Sequence, residues 1–336
     1  MKDKKSSFDD KYLSVLQSCI NGMGRTVRQG VEARSIGARS IQTDVLLDGF
    51  PIVTTKWVPY RLVRSELFWF LSGSEELRDL LENDNHIWVG DAYNAYQSRV
   101  EDPVSKESFV SLIKTDPDFN KKHGYLGKIY GPMWRGRMPV DDQVDQIYNA
   151  VKQLNRDPYS RRNLTVSWDP NIHQAGNGDQ DKAVLPPCHY AFQFTSHPVD
   201  VSREQEYKSH KYIAGDIPER RLDLTFVMRS TDVALGLPFN LASYGTLLRL
   251  VARQVGMVPG KLTCFSGDMH LYESHLEGAK KQLSQHGQES KVRLNIDTEN
   301  PMFDGVRNID IDQNDLKLEN YQPSPETHRI KFPLET

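Results

Sequence analysis

Two runs of alternating apolar residues, HYAFQF at 189–194 and RLDLTFVMRS at 221–230, constrain the fold most. A period of two puts every second side chain on one face of a strand, so each run needs a sheet with one buried side. Only a polar stretch separates them, so they are expected to pair antiparallel. Helical periodicity surrounds them. It is expected at DDKYLSVLQSCING (9–22), VPYRLVRSELFWFLSGSEELRDLLEND (58–84, broken at Gly73 and Ser74), DQVDQIYNAVKQLNR (142–156) and LPFNLASYGTLLRLVARQVG (237–256). Strands and helices intermix without a regular βαβ rhythm, which points to an α+β fold and away from a doubly wound sheet. NLTVSWDP reads as a strand, and GRTVRQGVEARSIGARSIQTDVLL as a loop entering a strand or hairpin. DGFPIVTTK reads as a turn with a short strand, and KLTCFSGDMHLYESHLEGAKKQL as strand, turn and helix. Residues 93–124 and about 196–220 are polar without sustained period and read as insertions, the first as a long loop.

The chain of 336 residues carries a formal net charge of -3, so bulk charge gives no reason to expect a nucleic-acid partner. No window approaches the ~20 apolar residues of a membrane span. The opening MKDKKSSFDDKYLSVLQSCI lacks the apolar core of a signal peptide. The three cysteines, Cys19, Cys188 and Cys264, are odd in number, far apart and without a CxxC pair. Neither a disulfide framework nor a zinc site is expected, and a reducing cytoplasmic setting fits.

Chemistry concentrates in a few places. Cys188 sits between Pro186-Pro187 and His189. A buried thiol and a nucleophile both fit that position. His189 follows on the strand and faces away from its neighbour, so it need not be a base for Cys188. Arg161 and Arg162 occupy a turn, Arg229 and Ser230 end a strand, and Arg28 lies in a glycine-containing loop. Solvated charge explains such arginines, and so does a phosphate site, where guanidinium forks and a hydroxyl supply several donors to one dianion. Asn240 fits a helix N-cap or an amide reading a base edge. His270 and Tyr272 share one strand face, as packing or as donors to a sugar hydroxyl. Glu66 lies in an apolar helix, where burial raises a carboxyl pKa toward general acid–base use.

Taken together, DGFPIVTTK, ELFWFLSG, Ile87-Trp88, LGKIYG, DPYSRR, LPPCHYAFQF, RSTDVALGLPFNLASYG and SGDMHLYESH resemble the thymidylate synthase family, which includes the pyrimidine nucleotide hydroxymethylases. They occur in the family's order and span most of residues 25–285. The resemblance implies a single catalytic domain over 1–336 with a large mixed or antiparallel sheet flanked by helices. That sheet would pack against its partner in a homodimer. It implies attack of Cys188 on C6 of dUMP and transfer of a one-carbon unit to C5 from 5,10-methylenetetrahydrofolate, without a metal. Arg28, Arg229, Ser230 and the partner's copies of the two turn arginines at 161 and 162 would hold the 5′-phosphate. Asn240 would read the base, and His270 and Tyr272 would hold the ribose. Ile87, Trp88, Asp232 and Gly236 would meet the folate. Glu66, Tyr130 and His189 would organise water and protons.

Departures from the synthase pattern bear on the product. The chain ends KFPLET, not in the small apolar residue whose carboxylate closes a synthase. Val89, Gly90 and Asp91 follow Trp88 where an acidic pair and a second tryptophan are typical. Met228 replaces a common glutamine, and RQGVEARSI departs from the synthase arginine loop, making Arg25 a competitor of Arg28. These changes point to a looser lid, water addition and 5-hydroxymethyl-dUMP, with thymidylate synthase as the alternative. A dCMP or CMP hydroxymethylase and a silent nucleotide-binding member stand further off. Asparagine at 240 goes with uracil and aspartate with cytosine. A hydroxymethylated uracil nucleotide is a DNA precursor in certain bacteriophages, which fits a phage-encoded enzyme in a host cytoplasm.

Overall fold

A seven-stranded mixed sheet organises the protein. The computed structural model describes residues 7–28, 30–136, 144–173, 183–209, 216–304 and 308–333. The strands are β1 (Met23–Arg28), β2 (Val31–Asp44), β3 (Leu164–Val166), β4 (His189–Pro198), β5 (Arg220–Met228), β6 (Thr231–Asp232) and β7 (Val258–Tyr272). Their spatial order is β1-β2-β7-β5-β4-β3, with β6 alongside β7. β5 and β6 run parallel to β7, and the other pairs are antiparallel. The expected pairing of HYAFQF with RLDLTFVMRS is present as β4 and β5.

Alternation fixes which face of β4 and β5 is buried. Phe192 opposes Phe226 and Phe194 opposes Leu224, and all four are fully buried. The register then slips between His189 and Ala191, where two positions of β4 advance for one of β5. Such a bulge reverses the facing of every residue beyond it. It turns His189 onto the core side with Phe192, where an unbroken strand would aim it away.

The helices α1 (Phe8–Ile20), α2 (Tyr60–Ser72) and α3 (Leu77–Glu82) match the periodicity of the sequence. The segment expected to be a loop at 93–124 is helical instead. It contains the end of α4 (Val89–Gln97) and all of α5 (Lys106–Thr115) and α6 (Pro117–His123). Ser105 and Asp116 cap α5 and α6 by accepting from Ser108, and from Asp118 and Phe119. Phe109 and Ile113 are wholly buried, and the Tyr96 ring meets Phe109 at 5.0 Å. Helices of two or three turns carry too few apolar positions for the period to emerge from a polar sequence.

Next come α7 (Tyr130–Arg135), α8 (Gln146–Arg156), α9 (Pro170–His173) and α10 (Glu204–Lys208). Of the polar stretch at 196–220, residues 196–198 complete β4 and Arg220 begins β5, a short 3-10 turn (Val201–Arg203) and α10 lie between them, and 210–215 are outside the described residues. DGFPIVTTK forms no strand. Its buried backbone is satisfied locally, since Thr54 donates its N–H and hydroxyl to the Asp9 carboxylate at 2.9 and 2.6 Å. The long α11 (Gly236–Gln254) lies against the sheet, with the Tyr244 ring stacked on Phe226 at 4.1 Å. A Cβ at Gly245 would lie 2.5 Å from Pro51, so only glycine lets α11 approach the 50–51 segment. β7 runs unbroken through GDMHLY, where a turn was expected, before α12 (Leu276–Leu283). A hairpin of β8 (Arg293–Ile296) and β9 (Leu316–Glu319) precedes the C-terminal tail. No described helix is long and apolar enough to cross a membrane.

Candidate active site

The Pro186-Pro187 pair carries the chain to Cys188 at the start of β4. Cys19 and Cys264 are fully buried, and burial pushes both thiols up, Cys19 to about 12. Cys188 is half-buried. The Arg229 guanidinium stands 3.8 Å from its Sγ, held there by donating to the carbonyls of Pro187 at 2.9 Å and Pro186 at 2.8 Å. The Arg229 N–H donates to the Cys188 carbonyl at 2.8 Å, which closes the ends of β4 and β5 around the thiol. A cation so placed stabilises a thiolate, the nucleophilic form.

Behind Cys188 is an aromatic shelf. The Cys188 N–H donates to the Tyr130 hydroxyl at 2.9 Å. The Tyr130 ring lies flat on the His189 ring, centroids 3.8 Å apart and planes 5° apart. His189 Nδ1 is 2.8 Å from the Tyr244 hydroxyl. Burial holds the imidazole down to about 3, so it is neutral at physiological pH. Because the bulge aims it into the core, it is not a base for Cys188. Tyr244 is the partner that sequence reading did not single out; its signal was a tyrosine one helical turn beyond Asn240 on α11.

Glu66 lies on α2 and accepts from the Trp88 indole N–H at 2.8 Å. Its carboxyl is pushed up to about 7 by burial, which that bond only partly offsets. Trp88 is buried against Trp69 and Tyr130, and Ile87 beside it is half-buried. The pair therefore offers an apolar wall with a proton-sharing carboxyl at its edge.

A second group assembles around Asp232. Its Oδ1 accepts from the N–H groups of Ala234 at 2.9 Å and Leu235 at 3.1 Å, with His275 Nδ1 at 3.5 Å. Burial raises the carboxyl, but His275, the Leu235 N–H and His270 outweigh it, and its pKa lies below the usual range. Asp232 pairs in register with His270 on β7, whose ring meets Tyr272 at 5.0 Å. Asn240 lies inside the first turns of α11 and is not its N-cap, which is Leu235. A Cβ on Gly236 would sit 3.7 Å from Asn240 Oδ1 and 3.9 Å from the Asp232 Cβ. Asp232, Gly236 and Asn240 are thus neighbours, and Ser230 lies between Asp232 and Arg229, whose backbone N–H meets the Cys188 carbonyl. Lys56 donates to the Ala234 carbonyl at 2.6 Å, and burial lowers its pKa to about 8.

The phosphate candidates divide. Arg161 and Arg162 are exposed in the turn before β3, at the end of the sheet opposite β1. The Arg161 carbonyl accepts from Gln193, and neither guanidinium meets the Cys188 group within one chain. Arg28 ends β1 opposite Val31, and its side chain lies outside the described residues. Its competitor Arg25 is paired with Asp268. Among the described residues no group of three or more His, Cys, Asp or Glu is arranged to hold a metal. The protein-family model described as thymidylate synthase matches residues 10–334.

Proposed function

Because the chain belongs to the thymidylate synthase family, a family of folate-dependent pyrimidine C5 transferases, we propose that it is a dUMP hydroxymethylase. The observation that supports cysteine chemistry here is Cys188, half-buried with the Arg229 guanidinium 3.8 Å from its sulfur. The dUMP base would lie with C6 toward Cys188 and its edge toward Asn240, whose amide matches the N3 donor and O4 acceptor of uracil. The thiolate adds to C6, and the electron pair moves to C5 as an enolate. 5,10-Methylenetetrahydrofolate, when bound, supplies a methylene carbon to C5. The residues present suit it: the Ile87-Trp88 wall, Gly236 beside Asn240, and the Asp232 carboxylate, whose Oδ2 meets no donor among the described residues.

Glu66 then has the role of moving protons. With a pKa near 7 it accepts or returns one readily, and the hydroxyls of Tyr130 and Tyr244 order the water between it and the base. Loss of the C5 proton would break the bond from the bridging carbon to the folate nitrogen, freeing tetrahydrofolate and leaving an exocyclic methylene, to which water would add. Expulsion of Cys188 from C6 would then restore the ring as 5-hydroxymethyl-dUMP. The sum is dUMP, methylenetetrahydrofolate and water in, and the two products out. Water addition is favoured by Asp91, which stands where a second tryptophan would shield the site.

One observation favours the second reading, a thymidylate synthase. The tail is seated beside Asp232, with the Pro333 carbonyl 2.7 Å from His275 Nε2. A seated tail is what hydride transfer under a closed lid needs. Incubation with dUMP and methylenetetrahydrofolate decides. 5-Hydroxymethyl-dUMP with tetrahydrofolate supports the proposal, dTMP with dihydrofolate overturns it in favour of the synthase, and neither product indicates a silent binder.

We further propose that a homodimer completes the phosphate site, each subunit lending Arg161 and Arg162. Their exposure in the turn before Leu164 supports this, as do the apolar side chains of Leu164 on β3 and Phe265 on β7, each 50% exposed.

A further inference from the structure

His275 stands between Asp232 and the tail. It follows β7, immediately precedes α12, and is wholly buried. Its Nε2 lies 2.7 Å from the Pro333 carbonyl oxygen, and its Nδ1 lies 3.5 Å from Asp232 Oδ1. A carbonyl has no hydrogen to give, so the Pro333 contact requires a proton on Nε2. A neutral imidazole carries one N–H only. Its Nδ1 would then turn a lone pair toward a carboxylate oxygen, which is repulsive. A second proton removes the conflict. Asp232 already accepts from two backbone N–H groups, which favours its ionised form, so that proton belongs to the ring.

We infer that His275 is a positioning residue for Asp232 that carries protons on both ring nitrogens while Pro333 is seated, so that docking of the tail and protonation of the Asp232–His275 pair are one equilibrium. The inference rests on reading Asp232 as a folate-side residue only for its catalytic consequence; the proton itself follows from the geometry.

The packing around the ring ties it to the tail. Phe332 meets the His275 ring edge to face at 5.1 Å, with the Lys56 ammonium 4.7 Å from the Phe332 centroid. A Cβ on Gly278 would lie 2.7 Å from the Phe332 ring, so the tail seats flat on α12 because position 278 is glycine. The other titratable groups facing the pair are Lys56, Tyr12 and Cys19 on α1, and His270 and Tyr272 on β7. Lys56 is cationic below about 8 and attracts Asp232 whether or not the tail is seated. Without Pro333, Nε2 loses this acceptor. A neutral ring donating from Nδ1 then satisfies Asp232, and one proton per chain is released.

The test is nitrogen-15 NMR of the histidine side chains of the full chain at pH 7, with His275→Gln to assign the resonances. Two variants unseat the tail: a chain shortened to end at Ile330, and Gly278→Ala, which presses on Phe332 without removing any tail residue. Both ring nitrogens of His275 should be protonated in the full chain, and Nδ1 alone in either variant that folds. A bare ring nitrogen in the full chain, or an unchanged ring after unseating, overturns the inference. Neither readout needs substrate. Folate binding to Asp232→Asn separately tests the folate-side reading, so the two failures are distinguishable.

Discussion

The Tyr130 ring lies parallel to the His189 ring at 3.8 Å, and the hydroxyl of the same tyrosine accepts the Cys188 N–H at 2.9 Å. One side chain therefore holds both the backbone of the proposed nucleophile and the imidazole behind it. Tyr130→Phe keeps the stack and removes only the acceptor. We expect the fold to survive and kcat to fall by about 10- to 100-fold, the scale of one misplaced catalytic group. Steady-state kinetics beside a thermal melt separate the two effects. An unchanged kcat removes Tyr130 from the site.

His189 makes stability depend on pH. Its folded pKa of about 3 is below its unfolded value near 6.5, so between those values the unfolded chain binds the extra proton. Stability is full above pH 6.5 and falls as pH drops toward 3, by at most about 1.4 kcal/mol per pH unit. His189→Asn should flatten the slope of stability between pH 6 and 4. A slope equal to the parent's assigns the loss to other groups.

Glu66 has the opposite sign. Burial raises its folded pKa to about 7 from 4.5, so the folded chain holds a proton the unfolded chain has lost. This carboxyl is compatible with full stability below pH 4.5 and lowers stability as pH rises through 7, by roughly 1–3 kcal/mol. Glu66→Gln should raise the melting temperature at pH 8 more than at pH 5, while turnover falls by about 10²–10⁴-fold. Equal shifts at both pH values refute the raised pKa.

Much of this site was legible in the sequence, and the exceptions have physical causes. Cys188, Glu66, Asp232 and Asn240 stand in patterned stretches, and the alternation that exposed β4 and β5 also placed Cys188 at a strand mouth. The facing of His189 was not legible, because it depends on a bulge defined by register with β5 and not by β4 alone. Tyr244 and His275 earn their positions from residues 55 and 43 places away in the chain, Tyr244 through His189 and His275 through Asp232, and no local spacing reports such contacts. The helices over 106–123 were hidden because their apolar positions are few, although the capping residues Ser105 and Asp116 were readable. The arginines show the reverse: their residue type suggested a phosphate, while Arg161 and Arg162 stand exposed in the turn before β3 and Arg229 stands at Cys188.

Cys188→Ser should abolish turnover, a loss of at least about 10³-fold, with little effect on stability because the residue is half-buried. Binding of dUMP, followed by calorimetry, should persist. Turnover near the parent's would remove Cys188 from its role.

Asn240→Asp exchanges an amide for a carboxyl at the position proposed to read the base edge. A protonated aspartic acid, or one sharing a proton with the base, complements the N4 donor and N3 acceptor of cytosine. The ratio of kcat/KM for dUMP over dCMP should fall by about 10²-fold or more, since a site built for one hydrogen-bond pattern rejects the other strongly. An unchanged ratio places base recognition elsewhere.

The proposed sharing of the phosphate site between subunits yields a test that a single mutant cannot give. Arg161 and Arg162 are exposed at the edge turn, away from the Cys188 group of their own chain. Arg162→Ala alone should raise KM for dUMP, by about 10-fold for one lost charged hydrogen bond of ~1.5 kcal/mol, yet so would a defect within one chain. Mixing inactive Cys188→Ser with an inactive Arg161→Ala/Arg162→Ala double variant distinguishes them. If the arginines act across an interface, a mixed dimer has one site with both defects and one with neither. Activity should reappear, approaching one quarter of the parent's after random exchange, because half of the dimers are mixed and each has one intact site. If the arginines act in their own chain, every site carries a defect and the mixture stays silent. Sedimentation of Phe265→Asp adds the physical counterpart: a charge on the outward face of β7 should shift the protein toward monomer and lower activity with it.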